Sequence, residues 1–162
     1  MGLNQAYIAL GSNLSEPQCQ IASAFSELAH LPETRLLAKS GLYLSAPISD
    51  IAQPDYVNAV AKIETGLDPS ALLKCLLDLE LVHGRVREAR NAPRTLDLDI
   101  LMYNDLVLID AHLTIPHPRM HERLFVLRPL LEIEPDCEIP GIGRAADMLC
   151  GLSGQILQKM AD

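Results

Sequence analysis

The chain has 162 residues, 49% of them hydrophobic and 21% charged, which is enough for one compact domain with its own core and short for two. That balance excludes a disordered chain, and no stretch approaches the ~18–20 consecutive apolar residues of a membrane span. A formal net charge of -8 argues against general electrostatic binding to nucleic acid.

Ala6-Tyr7-Ile8-Ala9-Leu10 reads as a short apolar strand ended by Gly11-Ser12-Asn13. From Pro17 to Leu31, Ile21, Ala24, Phe25 and Leu28 follow helical spacing, and Pro32 stops the helix. Arg35 to Leu44 has no helical start signal and reads as one strand; Ser45 to Asp55, with Pro47 and Pro54, is a loop. Tyr56 to Thr65 is again strand-like. Asp68-Pro69 is a strong helix start, an N-cap aspartate before a proline, and the helix runs through Leu72, Leu76 and Leu79 to Val82 before Gly84 ends it. Arg85 to Pro93 is polar and reads as a loop. Thr95 to Tyr103 is the clearest strand, and Asn104-Asp105 is expected to turn it into a hairpin with Leu106 to Ile109. After Pro116-His117-Pro118, Leu124 to Leu131 is expected to form a short helix, and the chain beyond Pro140 carries little chemical signal. This order predicts a single α+β domain over residues 1–162, with a mostly antiparallel sheet and helices packed on it.

The chemistry is concentrated in Arg94-Thr95-Leu96-Asp97-Leu98-Asp99-Ile100. Residues two apart on a strand share a face, so Asp97 and Asp99 project together, roughly 6–7 Å apart at their backbones, while Leu96, Leu98 and Ile100 face the core. Two carboxylates this close repel each other. A hard divalent cation removes the conflict, and oxygen ligands without histidine or thiolate suit magnesium. The alternative is the polar side of an exposed strand. Arg94 favours the metal, because it adds a phosphate ligand at the mouth of a loop that also holds Arg85, Arg87 and Arg90. Seven of the 13 basic residues are arginines between Arg85 and Arg128, a gathering expected either around a small anion or on a solvated surface.

His117 and His121 are four apart, but Pro118 follows His117 and no H-E-x-x-H order exists. A phosphate contact from His117 beside Arg123 is therefore favoured over zinc. Aromatic residues are only 4% of the chain, so Tyr56, followed by Asn58, and Phe125 stand out as rings and an amide able to clamp a flat heterocycle; each ring alone also suits a core. There is no P-loop, so a nucleotide would be held by metal and arginines. Cys19, Cys75, Cys137 and Cys150 form no C-x-x-C pair and are expected to be reduced core residues. The N-terminus carries no basic leader, and a cytoplasmic protein is expected.

Four blocks of the sequence together resemble the 6-hydroxymethyl-7,8-dihydropterin pyrophosphokinase family of folate biosynthesis. They are Tyr7-Ile8-Ala9-Leu10-Gly11-Ser12-Asn13-Leu14, Gln53-Pro54-Asp55-Tyr56-Val57-Asn58-Ala59, Ala92-Pro93-Arg94-Thr95-Leu96-Asp97-Leu98-Asp99-Ile100 and Pro116-His117-Pro118-Arg119-Met120. The resemblance implies a ferredoxin-like fold and transfer of pyrophosphate from ATP to a pterin hydroxymethyl group, releasing AMP. It implies two Mg2+ ions on Asp97 and Asp99, with Arg85 and Arg94 completing the catalytic set. Arg85, Arg87, Arg94, His117 and Arg123 would contact phosphates and Glu80 the nucleotide. Tyr56 and Phe125 would sandwich the pterin, Asn58 would hydrogen-bond it, and backbone groups near Ser45 and Ile48 would complete its pocket. Small molecules are the expected partners, without nucleic acid or membrane, and a monomer is expected. Where some members carry a loop lysine, Glu88 stands here, with Arg87 or Arg90 as substitutes. A phosphohydrolase and a non-catalytic nucleotide sensor are the rival readings.

Overall fold

The computed structural model describes residues 3–46, 53–84 and 95–161. Its elements are β1 (Asn4–Ser12), α1 (Pro17–Ala29), β2 (Thr34–Lys39), β3 (Tyr43–Ser45), β4 (Tyr56–Thr65), α2 (Pro69–Val82), β5 (Asp97–Tyr103), β6 (Leu108–Ile109), β7 (Thr114–Ile115), α3 (Leu124–Ile133), β8 (Glu138–Ile139), β9 (Gly143–Arg144) and β10 (Leu157–Lys159). The main sheet runs β10-β3-β4-β1-β5, with β2 also paired to β4, and every pairing is antiparallel. Two split β-α-β units interleave through the central strands β1 and β4, which is the α+β ferredoxin-like arrangement.

Alternation along the strands sorts side chains between two faces. Ala6, Ile8 and Leu10 of β1, Val57, Ala59, Ala61 and Ile63 of β4, and Leu98 and Ile100 of β5 meet Ile21, Phe25 and Leu28 of α1 and Leu72 and Leu76 of α2. On the other face, Val60, Leu101 and Met102 meet Val126, Leu127 and Leu130 of α3. The β1–β5 register slips between Tyr7 and Ile8, which leaves Leu101 as an extra residue and turns both Leu101 and Met102 toward α3. Asp97 and Asp99 lie just before that bulge, on the α3 face of β5.

The helix starts follow the sequence. Asp68 accepts the Ala71 N–H at 2.8 Å, and Gly84, at φ +82°, takes the left-handed conformation that ends α2. Four expectations change. Residues 35–44 form two strands, β2 and β3, because the β2–β4 ladder slips between Leu36 and Ala38 and the chain then crosses to pair β3 further along β4. Gly11 and Ser12 continue β1 instead of ending it. The expected hairpin is absent: β6 pairs with β7, since Asn104 turns back on β1, donating its N–H to Gln5 O and accepting the Gln5 N–H on its side chain. All four cysteines are free, but only Cys137 is buried; Cys19 and Cys150 lie exposed, off the faces their segments turn to the core.

The C-terminal end of α3 is pinned to the sheet by two carboxylates. Glu134 accepts from Lys62 Nζ and Tyr7 Oη, both at 2.6 Å. Glu132 accepts from Tyr43 Oη at 2.6 Å and the Gly41 N–H at 3.0 Å, with Lys159 Nζ of β10 at 3.4 Å. The Lys62 and Tyr7 bonds hold the Glu134 carboxyl below its ordinary value. For Glu132, burial pushes upward, and the Tyr43, Gly41 and Lys159 contacts outweigh it. A carboxyl with a depressed folded pKa stabilises the fold above its unfolded value of 4.5, and that contribution is lost as pH falls through the folded value. In urea titrations at about pH 7 and about pH 3.5, Glu134→Gln should therefore lose less stability on acidification than the parent chain. An unchanged acid sensitivity would mean that the pins carry no linked protonation.

Candidate active site

Three strands meet at one row of the sheet. Gly11 of β1 stands opposite Asn58 of β4 on one side and Asp97 of β5 on the other; in the next row on this face, Ala9 stands between Val60 and Asp99. Two strand spacings put the Asn58 and Asp97 backbones about 10 Å apart. Between them the central strand offers only a hydrogen and a methyl group, so a hollow opens. A Cβ at Gly11 would approach Asn58 Oδ1 and the Tyr56 ring at 3.7 Å, so the glycine leaves depth where backbone strain does not require it.

The hollow is a cavity open to solvent, lined on the β4 side by Ser45, Ala46, Tyr56 and Asn58, and on the β5 side by Asp97, Asp99 and Leu101. His117, Arg123, Phe125 and Val126 complete the wall. Thus Ser45, Tyr56, Asn58, Asp97, Asp99, His117, Arg123 and Phe125, drawn from five separate segments, line one space. Ile48, Arg85, Arg87 and Arg94 lie outside the described residues. Glu80 does not line the cavity; it is buried in α2 behind β5.

Asn58, His117 and Arg123 are held in defined orientations. Asn58 Nδ2 donates to Ser45 Oγ at 2.7 Å, Tyr43 O at 3.2 Å and Tyr56 O at 3.3 Å. Those carbonyls fix the amide so that Oδ1, an acceptor, faces Gly11 and the cavity. His117 hangs from the β5 bulge, its N–H donating to Leu101 O at 2.9 Å, while its Nδ1 accepts the Arg119 N–H at 3.1 Å. Burial and the neighbouring Arg123 push its pKa down to about 4, with Asp97 opposing and Arg119 assisting. The ring is therefore neutral at pH 7 with its proton on Nε2, a directional donor. Arg123 occupies the N-cap position of α3 and lies over the Phe125 ring at 5.6 Å, which couples the cation to the aromatic wall.

The braces around the cavity carry little sequence signal. Ser12 Oγ donates to Thr95 O at 2.5 Å, tying β1 to the entrance of β5. Asn13 Nδ2 donates to Gln53 Oε1 at 2.7 Å and Pro54 O at 3.0 Å, tying the same strand end to the approach to Tyr56. Gln155, far down the tail, caps α3: its Oε1 accepts the Leu124 N–H at 2.9 Å and its Nε2 donates to Glu122 O at 2.8 Å. Gly11 marks the hollow once β1 is seen to run through it, whereas the sequence alone places that glycine at the end of the strand. The Ser12, Asn13 and Gln155 bonds span 31 to 83 residues, beyond any local pattern.

Comparison with known proteins identifies the family. The family described as 7,8-dihydro-6-hydroxymethylpterin-pyrophosphokinase (HPPK) matches residues 7–135. The chain is 48% identical over 158 residues to the 2-amino-4-hydroxy-6-hydroxymethyldihydropteridine pyrophosphokinase of Pseudomonas aeruginosa, covering 98% of each. It is 50% identical over 135 residues to the enzyme of that name from Haemophilus influenzae, covering 83% of this chain and 84% of that one. Among solved structures, wild-type HPPK-DHPS of Plasmodium falciparum with pterin and p-hydroxybenzoate superposes with a TM-score of 0.72 at 14% identity. That likeness concerns the fold, and it takes in 90% of this chain but 42% of the longer one. By the family match and the near full-length identity, the chain belongs to the 6-hydroxymethyl-7,8-dihydropterin pyrophosphokinase family.

Proposed function

We propose that the cavity across Gly11 is where this chain brings its two substrates together, with the pterin on the β4 side and the ATP polyphosphate on the β5 side. As a member of the family the chain is an ATP-dependent pyrophosphokinase, transferring pyrophosphate from ATP to hydroxymethyldihydropterin in folate synthesis. The observation that carries the site assignment is the single cavity shared by the ring-and-amide set Tyr56, Asn58 and Phe125 and the carboxylate-and-cation set Asp97, Asp99, His117 and Arg123.

On the pterin side, the inward Asn58 Oδ1 suits the N–H edge of a heterocycle, and Tyr56 and Phe125 supply faces for stacking. Ser45, and in this reading Ile48, complete that end. On the phosphate side, Asp97 and Asp99 offer hard oxygens on one strand face, the donor set magnesium prefers. Among the described residues no group of three or more His, Cys, Asp or Glu side chains gathers around one point, so phosphate and water would supply the remaining ligands. Two Mg2+ ions held there would offset the charge of the triphosphate. Arg123 and the Nε2–H of His117 bind phosphate oxygens, and Arg85, Arg87 and Arg94 are assigned to the same task. The pterin hydroxyl attacks the β-phosphorus in line; the new C–O–P link forms as the bond between β-phosphorus and the AMP oxygen breaks, and the hydroxyl proton leaves to solvent or a carboxylate.

Residues 1–162 act in this reading as one pyrophosphokinase domain, a cytoplasmic monomer working on small molecules. No helix among the described residues is long and apolar enough to cross a membrane.

Incubation with Mg2+, ATP and the hydroxymethyl pterin should release AMP only when the pterin is present. Phosphate or pyrophosphate without pterin would instead indicate a hydrolase, and no turnover a sensor. Asp97→Ala should lower turnover at least about a hundredfold with the far-UV spectrum retained, and near-normal activity would remove the metal assignment. Calorimetry should find pterin binding weakened roughly tenfold by Tyr56→Ala, more than ATP binding; the reverse order would take Tyr56 out of the pterin pocket.

His117 adds a pH signature. Its folded pKa of about 4 lies below its unfolded value of 6.5, so the unfolded chain binds more protons between them and stability falls on acidification through that window. NMR titration should find His117 with its midpoint at about 4 and its Nε2-protonated tautomer at neutral pH. A midpoint at its ordinary 6.5 would mean that burial and Arg123 do not act on the ring as described.

A further inference from the structure

Helix α2 turns three side chains fully inward at i, i+4 and i+8: Leu72, Leu76 and Glu80. The third position of such a stripe ordinarily holds another apolar residue. Glu80 is only 3% exposed, and its carboxylate accepts the Leu98 N–H at 2.7 Å. Leu98 is the residue between Asp97 and Asp99.

The reason lies in the sheet. Among the described residues β5 pairs in the main sheet with β1 alone, so one of its edges has no strand partner there. In an antiparallel pair, alternate residues direct their N–H and C=O groups into the ladder. The Leu98 N–H points out of it, toward α2, and Glu80 receives it. Asp97 and Asp99, opposite Gly11 and Ala9, are the neighbours that face β1. The peptide carrying the two carboxylates is thus gripped from both edges, by β1 through its flanking residues and by Glu80 at its centre. Ser12 holds the Thr95 carbonyl two residues upstream of Asp97.

We infer that Glu80 is a positioning residue for the Asp97/Asp99 pair, fixing the peptide between them so that both carboxylates are set for a divalent cation. It acts through the strand, from the side opposite the cavity, which Asp97 and Asp99 line and Glu80 does not. Groups that orient metal ligands from behind are costly to lose even though they never touch the ion. The inference rests on reading Asp97 and Asp99 as metal ligands, and it differs from a direct contact between Glu80 and the nucleotide.

The test is a Mn2+ titration followed by electron paramagnetic resonance, with the methylene analogue of ATP present, on the parent chain, Asp97→Asn, Glu80→Ala and Glu80→Gln. Amide exchange at Leu98 and analogue binding in chelator are measured alongside. The parent should bind Mn2+ and Asp97→Asn should lose it; equal binding by these two would overturn the metal reading itself. With that established, Glu80→Ala should weaken Mn2+ binding by about tenfold or more and speed exchange of the Leu98 amide, leaving metal-free analogue binding unchanged. Glu80→Gln keeps an acceptor and should restore Leu98 protection and most of the Mn2+ affinity. Parent-like Mn2+ affinity in Glu80→Ala, or weakened metal-free binding of the analogue, would overturn the inference. If Glu80→Ala does not fold, Glu80→Gln decides alone: a tenfold loss of Mn2+ affinity with Leu98 still protected would equally overturn it.

Discussion

The site depends on the pairing of β1 with both β4 and β5, in a register that sets Asn58, Gly11 and Asp97 side by side. Every polar group of the cavity is placed relative to that row. If β1 slipped by one residue against either neighbour, Ala9 and Gly11 would exchange faces with Ile8 and Leu10, and the hollow would fill with core side chains. The register is held because the opposite face of β1 carries Ala6, Ile8 and Leu10 into the packing of α1 and α2. Burial on one face thus specifies the binding geometry on the other.

The second layer is the anchoring of α3. This helix brings Arg123, Phe125 and Val126 over the sheet, and its two ends are fixed by unrelated parts of the chain. Gln155 caps the start, and Glu132 and Glu134 bind tyrosines and lysines of β1, β3, β4 and β10 at the far end. The distal tail is therefore part of the support for the aromatic wall. It also widens the sheet, since β10 pairs with β3, the strand that ends in Ser45.

Local patterns in the sequence were informative where the physics is local. The Asp68-Pro69 start of α2, the span of β4 and the shared face of Asp97 and Asp99 follow from capping, alternation and turn chemistry. The four family-like blocks contain Tyr56, Asn58, Asp97, Asp99 and His117, which the fold brings together from distant segments, while Ser45, Arg123 and Phe125 lie outside them. Other features were not legible, because their causes are long-range. The bulge at Leu101, the return of Asn104 to β1 in place of a hairpin, the pairing of β10 and the bonds of Ser12, Asn13 and Gln155 all depend on partners far along the chain. Glu80 is the instructive case: the family resemblance implies a nucleotide contact for it, and no local pattern shows that its carboxylate meets the backbone of the very strand that bears the aspartates.

A crystal structure with Mn2+, the methylene analogue of ATP and the hydroxymethyl pterin tests the central assignment most directly, because anomalous scattering locates the metal independently of the protein coordinates. The account predicts anomalous peaks within coordination distance of the Asp97 and Asp99 carboxylates, and the pterin stacked between Tyr56 and Phe125 on the other side of Gly11. Metal bound away from both aspartates, or a pterin seated outside the cavity, would contradict it.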